Sequence, residues 1–578
     1  DSETAQQLRI DMQISIPFKP YVVSAGGKVA WVHRTFSSSS DKPNYHIGVE
    51  YDSVNPKHAA VIMGFARKRR LIPHLVGIFI LLMCLVVASL LYYQNELIQQ
   101  NKELVGSMVR NAQSRESWLN ELDTSASQER ELIAAKQEAL QKIEAFNAKI
   151  DALAPDDERL NALEKERDQW VLKESQILNQ LSDARKKKAS AGQRLQDAQS
   201  NMSEENNRIA KQLYAWLSRH ANKKTGLVPS FEGDQELAYI AYTYDQALVS
   251  LAHTIMGDTV QAAKILHTYQ TKAQKVKGGF VSGYDSISVV PVEWNVHVGP
   301  NVWIGIAAVQ YQRRTNDRQF QPMAEDLGGW LIDLQKKDPE GGLSGGPDFE
   351  WFSTEHNLDA YSYFKMLYEI TGDRKYDIAA ETSFRWVMDH AADRSQGRFK
   401  RGRGDATIAT DTFSWSIAAI GPERLASVDF SPEGIMEFAE EHCRVTVPFK
   451  RPEGETVNIT GFDFSKPENI PRGGVVSSEW TAQAVVTYQI LEKYFRRIGA
   501  GDKSDYYRTK AIFYLSELQK MIISSLSKTG QGRGCLPYAT SAKARTGHGW
   551  RTPQGHQTGS VAGTAYSLFA WKSFNPFE

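Results

Sequence analysis

The sequence predicts a multidomain protein in which a partial β-barrel, one transmembrane helix and a coiled-coil stalk precede an all-α toroid, an (α/α)6 ring of helical hairpins. Three observations predict this: strand-like alternation in residues 1–65, an uncharged apolar stretch at residues 71–93, and a helix pattern that recurs six times within residues 210–578. The stalk would occupy residues 94–209. The 578 residues carry no net formal charge, which argues against a nucleic-acid polymer as partner.

The N-terminal unit contains three segments with strand character. Apolar residues alternate from Leu8 to Ile16, residues 28–33 follow a Gly-Gly turn, and residues 45–51 form a third run rich in aromatic and β-branched side chains. Three short strands separated by turns predict part of a β-barrel.

The second and third strands resemble a known family. A Gly-Lys-Val-Ala-Trp-Val strand, a Tyr-His-Ile-Gly-Val-Glu-Tyr strand and a following helix are similar to the second half of a PilZ domain, a family that binds cyclic di-GMP. The family's nucleotide-binding signature, Arg-x-x-x-Arg and Asp/Asn-x-Ser-x-x-Gly, belongs upstream of this segment. We expect either a piece of a longer domain or a degenerate barrel that binds no nucleotide. The resemblance implies cyclic di-GMP as a partner only of the full-length N-terminal domain.

Residues 71–93 are long enough to cross a bilayer core of about 30 Å as a helix. The stretch is internal and no small-residue cleavage site follows it, which predicts a transmembrane helix and not a signal peptide. Four basic residues, 67–70, stand directly before it and favour the cytoplasmic side. The sequence thus predicts a single-pass protein of a bacterial inner membrane with a periplasmic C-terminal part. Cys443 and Cys535 would then share an oxidising compartment, and whether they pair stays open.

The stalk segment has apolar positions at coiled-coil spacing, which predicts self-association. Near residues 154–157 the pattern breaks, because Pro155 cannot continue a helix and Asp157 can cap the next one. Two rods stacked end to end and an antiparallel hairpin are both compatible with this break. The first predicted seam comprises Ile133, Leu140, Ile143 and Ile150, and the second comprises Leu160, Leu163, Trp170, Ile177 and Leu181.

The toroid is predicted from six apolar helix patterns that each begin after a polar or acidic cluster. Successive starts are 56, 55, 55, 68 and 82 residues apart, as expected of one helical hairpin copied around a ring with longer loops late in the chain. The starts of the six inner helices would converge at one mouth. They lie near Asp245, Asn301, His356, Asp411, Glu479 and Val561.

The residues at these starts suit the hydrolysis of a glycosidic bond, which needs one carboxylic acid, one carboxylate and aromatic rings that stack on sugars. An acid at a helix start can also be only a cap, and a tryptophan there can be only core. The densest polar cluster is residues 353–359. The predicted catalytic residues are Glu355, Asp245, Glu479 and Asp411, and the predicted substrate-binding residues are Tyr244, His297, Asn301, Trp303, Trp351, His356, Asp359, Trp415, Trp480 and Gln483.

The repeat pattern of residues 210–578 resembles the six-hairpin glycosidase superfamily, which includes glucoamylase-like hydrolases, cellulases and sugar epimerases. The resemblance implies a polysaccharide or oligosaccharide partner and, first, a glycoside hydrolase. His253, His297, His356 and Asp359 show no metal-ligand spacing, so we expect no metal and no cofactor. A non-catalytic glycan-binding or exopolysaccharide-secretion scaffold is the alternative, and a lyase or epimerase that uses His or Tyr as base is the third reading. The whole architecture resembles bacterial envelope proteins that link a cytoplasmic signal to exopolysaccharide outside.

The charge distribution around the apolar stretch makes a topology prediction. We expect reporter domains fused after residue 60 and after residue 230 to lie on opposite sides of the membrane, because residues 67–70 hold the N-terminal side in the cytoplasm. Paired cytoplasmic and periplasmic reporters at both positions measure this. Two fusions active on the same side would contradict the predicted topology.

Overall fold

The computed structural model describes residues 8–15, 22–37, 40–154, 157–525, 533–553 and 558–578. The chain forms two compact units, residues 1–100 and 101–578, which are described separately. Helices and strands are numbered in chain order.

The first unit contains an antiparallel sheet of three strands in the order β1-β2-β3. Arg9 of β1 pairs with Lys28 of β2, and Val29 of β2 pairs with Val49 of β3. The three predicted strands are therefore confirmed, whereas a partial β-barrel and a PilZ-like module stay predictions. The bounds are β1 Arg9–Ser15, β2 Val22–Ser37 and β3 Ser40–Val54.

A long helix, α1, extends from Pro56 to Asp151. In the described part of the chain, one helix segment, Pro56–Glu96, is long and apolar enough to cross a membrane. Between residues 71 and 93 the large apolar side chains are 48% to 68% exposed. Such a continuous apolar surface fits lipid far better than water.

The second unit begins with an antiparallel pair made by the end of α1 and by α2, Leu160–His220. The carboxylate of Glu129 on α1 accepts hydrogen bonds from Arg185 at 2.8 Å and from Lys188 at 3.1 Å on α2. Of the two arrangements that the sequence allowed, the structure shows the hairpin. Pro155 and Asp156, which were expected to break the helix, lie outside the described residues. Self-association through this hairpin stays a prediction.

One predicted seam of the hairpin is partly wrong. Ile133 and Leu140 are 37% and 40% exposed, whereas Ala139 between them is fully buried. On α2 the predicted Ile177 and Leu181 are buried, at 6% and 5% exposed. The buried positions of α1 thus include Ala139 and not the larger residues that dominate the sequence pattern.

The rest of the second unit is a closed ring of six inner helices, which confirms the predicted toroid. Each inner helix packs against the next, and the sixth packs against the first. All six begin within three residues of the predicted starts. The inner helices are α3 Thr243–Ile255, α5 Val298–Thr315, α7 Thr354–Thr371, α9 Thr410–Ile420, α12 Ser478–Arg497 and α14 Val561–Trp571.

Outer helices cover this ring. The end of α2 packs on α14 and α3, and the other outer helices pack on the inner helices beside them in the chain. They are α4 Thr259–Thr271, α6 Gln321–Gln335, α8 Arg374–Trp386, α10 Pro422–Ser427, α11 Pro432–Cys443 and α13 Gly501–Met521. Cys443 and Cys535 are both buried free thiols, so the structure shows no disulfide between them.

Short strands lie in the loops that return from an outer helix to the next inner helix, at the mouth of the ring. Most pair as small antiparallel hairpins, and β4, β7 and β8 form a three-stranded sheet. A π-helical turn at Val387–Ala391 and a 3-10 turn at Pro467–Asn469 complete these connections. The strands are β4 Ile240–Tyr242, β5 Lys275–Val276, β6 Gly279–Phe280, β7 Gly283–Asp285, β8 Pro291–Glu293, β9 Ser344–Gly346, β10 Phe349–Phe352, β11 Ala392–Asp393, β12 Arg398–Phe399, β13 Arg444–Lys450 and β14 Thr456–Phe462.

In five of the six inner helices the fourth residue ties a mouth loop to the helix start. In the first three repeats an amide side chain both accepts from the N–H and donates to the C=O of a single loop residue, as a β-strand would. These amide clamps join Gln246 to Val228, Asn301 to Phe280 and Asn357 to Leu343 at 2.7–3.0 Å. In the last two repeats Thr481 and Thr564 only accept, from the N–H groups of Phe462 and Leu536.

The amide clamps predict a stability effect. Asn301→Ala leaves the buried N–H and C=O of Phe280 without partners, so we expect the free energy of unfolding to fall by about 2–4 kcal/mol. The control Asn295→Ala removes an exposed amide from the same loop and should change it by less than about 0.5 kcal/mol. Urea unfolding measures both. Equal losses would contradict the clamp.

Candidate active site

The chemistry of the mouth is concentrated at the second residue of each inner helix. Four of these six positions hold Tyr244, Glu355, Asp411 and Glu479, and the other two are Gly299 and Ala562. Side chains at equivalent positions of a closed ring point to a common axis. The second positions of α7, α9 and α12, three neighbouring inner helices, are all carboxylic acids. The predicted catalytic residues Glu355, Asp411 and Glu479 therefore converge.

Glu355 and Asp411 form a hydrogen-bonded carboxyl pair. Burial, followed by the negative charge of Asp411, raises the pKa of Glu355 well above its ordinary value. The pKa of Asp411 is also raised by burial, but the interaction with His548, the hydrogen bond from Glu355 and the backbone N–H of Thr412 oppose that rise. Burial lowers the pKa of His548 itself. The carboxyl of Glu355 thus carries the proton and donates a hydrogen bond to the carboxylate of Asp411. Asp411 is 5% exposed, whereas Glu355 keeps partial contact with solvent.

Glu479 lies on the next inner helix and is bound by a tyrosine. The hydroxyl of Tyr244 donates to its Oε1 at 2.6 Å, and the amide of Gln483 donates to the same oxygen at 3.4 Å. Burial raises the pKa of Glu479 to about 8, and the hydrogen bond from Tyr244 opposes that rise. Near neutral pH this carboxyl can therefore both hold and release a proton.

Asp245 is the third residue of α3 and not the second, so it sits beside the ring of acids. It is 4% exposed, and burial raises its pKa to about 7, opposed by a hydrogen bond from Ser230. Its charge raises the pKa of Glu479, which places the two carboxyls within electrostatic reach of each other.

One helical turn below the acids lies a second layer, formed by the sixth residue of each inner helix. Trp303, Trp415 and Tyr566 contact one another there, and the indole N–H of Trp415 donates to the hydroxyl of Tyr566 at 3.2 Å. Gln483 belongs to the same layer. Asp359 is fully buried, and among the residues that the structure describes no hydrogen bond of normal geometry reaches either of its carboxylate oxygens. Burial raises the pKa of Asp359 well above its ordinary value, which favours the protonated form.

Three predicted substrate-binding residues have structural roles. Both functional groups of the Asn301 amide are used by its clamp on Phe280. Trp303 and Trp415 are 1% and 3% exposed and pack against Phe577, so they form the floor of the ring and not a surface for sugars. A large aromatic ring at a helix start serves a closed core as readily as a ligand, and burial decides between these roles.

A first aromatic wall, defined by His297, Phe349, Trp351 and His356, stands on the Glu355 side of the mouth. His297 stacks on Phe349 at 4.7 Å, and Trp351, 47% exposed, lies 5.5 Å from the ring of His356. Burial lowers the pKa of His297, and it lowers that of His356 to about 3, so His356 is neutral. Within the described part of the chain, the Nδ1 atom of His356 has no hydrogen-bond partner. This wall offers an exposed stacking face and a neutral histidine.

A second aromatic wall stands on the Asp411 and Glu479 side, and the sequence revealed only one of its members, Trp480. Trp480 is 7% exposed and packs on Phe464. The other members, Tyr538, His548 and Trp550, come from the loop between α13 and α14. Burial raises the pKa of Tyr538, and so do the charges of all four predicted catalytic acids, which places its hydroxyl within electrostatic reach of them. Because this loop has no helical periodicity, no sequence pattern indicated it.

Among the residues that the structure describes, no group of three or more His, Cys, Asp or Glu side chains is arranged to hold a metal ion. The buried acids are held instead by hydroxyl, amide and carboxyl groups.

The chain is similar to several solved structures at low sequence identity. A glycoside hydrolase family 76 mannosidase from Bacteroides thetaiotaomicron is 14% identical with a TM-score of 0.41, over 64% of this chain and 98% of the other. A D-mannose isomerase is 9% identical with a TM-score of 0.46, over 64% and 96%. A sugar epimerase from a ruminal bacterium is 10% identical with a TM-score of 0.45, over 64% and 99%. No protein-family model and no curated protein matches the chain.

The raised pKa of Glu479 predicts a pH-dependent stability. Its folded value of about 8 lies above the ordinary 4.5, so the folded protein binds this proton more tightly and loses stability as pH rises from about 5 to 8. In Glu479→Gln this loss is removed, and we expect the variant to gain stability relative to the wild type between pH 5 and pH 8. Melting curves at both pH values measure the gain. Glu369→Gln, an exposed control, should follow the wild type, and Glu479→Gln curves parallel to the wild type would contradict the raised pKa.

Proposed function

We propose that the ring is a glycoside hydrolase active site that acts on a polysaccharide. The observation that carries this proposal is the carboxyl pair Glu355 and Asp411, which shares one proton beside a third acid, Glu479, under two aromatic walls. Cleavage of a glycosidic bond needs a protonated carboxyl at the leaving oxygen and an ionised carboxyl at the attacking side. Exposed aromatic faces at the mouth suit the flat faces of sugars.

Glu355 is the general acid in this mechanism. It holds a proton at neutral pH, and it is the most exposed of the four catalytic acids, so its proton is nearest to an incoming glycan. Asp411 accepts the hydrogen bond that orients the Glu355 carboxyl. When the proton passes to the leaving oxygen, the Glu355 carboxyl is left ionised beside Asp411.

Glu479 is the water-activating base, on the inner helix beyond Asp411. The Tyr244 hydroxyl donates to it and stabilises its ionised form. Asp245, within electrostatic reach, positions the water. Since Glu479 must be ionised and has a pKa of about 8, activity on a glycan rises as pH approaches 8. His356 and Trp351 contact the bound sugars from the first aromatic wall.

The N-terminal part would determine the cellular location of this activity. We propose that the apolar segment Pro56–Glu96 anchors the chain in a bacterial inner membrane with the ring in the periplasm. The sheet of β1 to β3 would belong to a cytoplasmic PilZ-like module that connects cyclic di-GMP signalling to polysaccharide outside. The support is the basic residues 67–70 and the strand motifs.

A second candidate is a non-catalytic glycan-binding or secretion scaffold. One observation favours it: Asp245, Asp411 and Glu479 are only 3% to 5% exposed, while Trp351 at the rim is 47% exposed. A glycan could then be held at the rim without reaching the acids. Binding of a polysaccharide without any release of reducing ends would select this function.

Substitution of the proposed acid tests catalysis. We expect Glu355→Gln in the full chain to lower turnover of a cleaved polysaccharide by about 100-fold or more, because the amide cannot donate the acid proton. Glycan affinity and melting temperature should stay close to the wild type. Reducing-end release over a polysaccharide panel measures turnover, with Glu369→Gln at the far end of the same helix as control.

Two results would contradict this assignment. A Glu355→Gln variant with both a lower melting temperature and a lower activity would indicate that Glu355 serves as a helix cap. Full activity in Glu355→Gln, together with loss of activity in Asp411→Asn, would assign the role of general acid to Asp411.

A further inference from the structure

Asp359 is a buried carboxyl that the proposed mechanism does not use. It is the sixth residue of α7, and its side chain is fully buried. Within the described ranges of the chain, neither of its oxygens has a hydrogen bond of normal geometry. A buried polar group without a partner destabilises the folded state, so Asp359 costs stability that a role at the site would offset.

Asp359 lies one helical turn below Glu355 on the same helix. Residues four apart share one helix face, with about 5–6 Å between their Cβ atoms, and their side chains lean towards the N-terminal end of the helix. The Asp359 carboxyl therefore leans towards Glu355. A negative charge on Asp359 would raise the pKa of Glu355, which places the two carboxyls within electrostatic reach of each other. A rotation of the Glu355 side chain would bring them into hydrogen-bond contact.

The surroundings of Asp359 favour its protonated form. Burial raises its pKa, the indole N–H of Trp303 opposes that rise, and the charge of Asp411 adds to it. An indole N–H can only donate, so it faces the acceptor oxygen of the carboxyl and leaves the O–H to another partner. A carboxylic acid that its site keeps neutral can act as a hydrogen-bond donor.

The proposed proton transfer leaves two negative charges side by side. Glu355 gives its proton to the leaving oxygen and is then ionised beside Asp411. Interactions with His548 and Arg401 oppose the rise in the pKa of Asp411. The charges that raise the pKa of Glu355 come from carboxyls, so a neutral donor beside it would stabilise its ionised form. These carboxyls are Asp411, Asp359 and Glu479, and the hydroxyls of Tyr244, Tyr538 and Tyr566 also lie within electrostatic reach of Glu355.

We propose that Asp359 is a positioning residue that donates its O–H to the carboxylate of Glu355 when Glu355 becomes ionised. The inference rests on the proposed function, in which Glu355 is the general acid. Glu355 loses one proton to the leaving oxygen and Asp359 keeps its own, so the new carboxylate gains a charge-assisted hydrogen bond and no second proton moves. A donor already aimed at the developing charge lowers the barrier to the transfer.

Two substitutions separate a hydrogen-bond donor from a buried charge. Asp359→Asn keeps a neutral donor of the same shape, and Asp359→Val removes the donor. Infrared spectra of the full chain follow the protonated carboxyl band of Glu355 against pH, as the difference from the same background with Glu355→Gln. We expect the midpoint of this titration to rise by about one pH unit or more in Asp359→Val and to change little in Asp359→Asn. Ser362→Ala, another buried position of α7, is the matched control.

Turnover of a cleaved polysaccharide gives a second readout. We expect Asp359→Val to lower kcat by about tenfold or more with KM nearly unchanged, because the lost interaction is made only as Glu355 ionises. Asp359→Asn should stay within about threefold of the wild type. The melting temperature of Asp359→Val should not fall, since an apolar side chain replaces an unpartnered buried carboxyl. Asp359→Ala gives the same comparison if valine does not fit.

The outcomes separate this proposal from the proposed function. A lower midpoint for Glu355 in both variants would show that Asp359 is ionised in the wild type and would overturn the donor. An unchanged midpoint in Asp359→Val would overturn it as well. A raised midpoint in a protein that cleaves no polysaccharide would contradict the hydrolase and support the hydrogen bond. A raised midpoint together with an unchanged kcat would overturn the contribution of Asp359 to the reaction.

Discussion

The arrangement of the site depends on one constraint, that six inner helices close into a ring with their first turns at the same end. This closure brings the second residues of α7, α9 and α12 together, and those residues are Glu355, Asp411 and Glu479. Isolated carboxyls of this kind would ionise in water. Held together away from water, they share protons instead, and Glu355 keeps one by hydrogen bonding to Asp411. The reactive form of the site is thus a consequence of ring closure.

Burying these acids costs free energy, and the same helix starts offset part of the cost. The first turn of a helix has free N–H groups and the positive end of its dipole, which favour nearby negative charge. Thr412 N–H binds Asp411 at 2.8 Å, and Tyr244 binds Glu479. Below them, burial raises the pKa of Asp359, which has no hydrogen bond of normal geometry among the described residues. The amide clamps of the first three repeats hold mouth loops against the helix starts.

The sequence indicated the ring because its signals are local and repeated. Each inner helix begins with a polar cluster and continues with an apolar run, and the first intervals are nearly constant. The same signal indicated Glu355, Asp411 and Glu479, since these acids occupy the same position in three of the repeats. What could not be predicted depends on packing between distant segments. Trp303 is buried in the floor of the ring, and the amide of Asn301 is hydrogen-bonded to the backbone of Phe280. The second aromatic wall comes from a loop without periodicity, so Tyr538 had no local signal.

The central claim, that Glu355 carries a shared proton at neutral pH, can be observed without a substrate. Infrared difference spectra between the wild type and Glu355→Gln report the C=O stretch of protonated carboxyl groups. The account predicts that the wild type at pH 7 has a protonated carboxyl band that Glu355→Gln lacks, and that Asp411→Asn shifts this band because a neutral amide replaces the charged hydrogen-bond acceptor. Identical carboxyl bands in the wild type and in Glu355→Gln at pH 7 would show that Glu355 is ionised and would contradict the account.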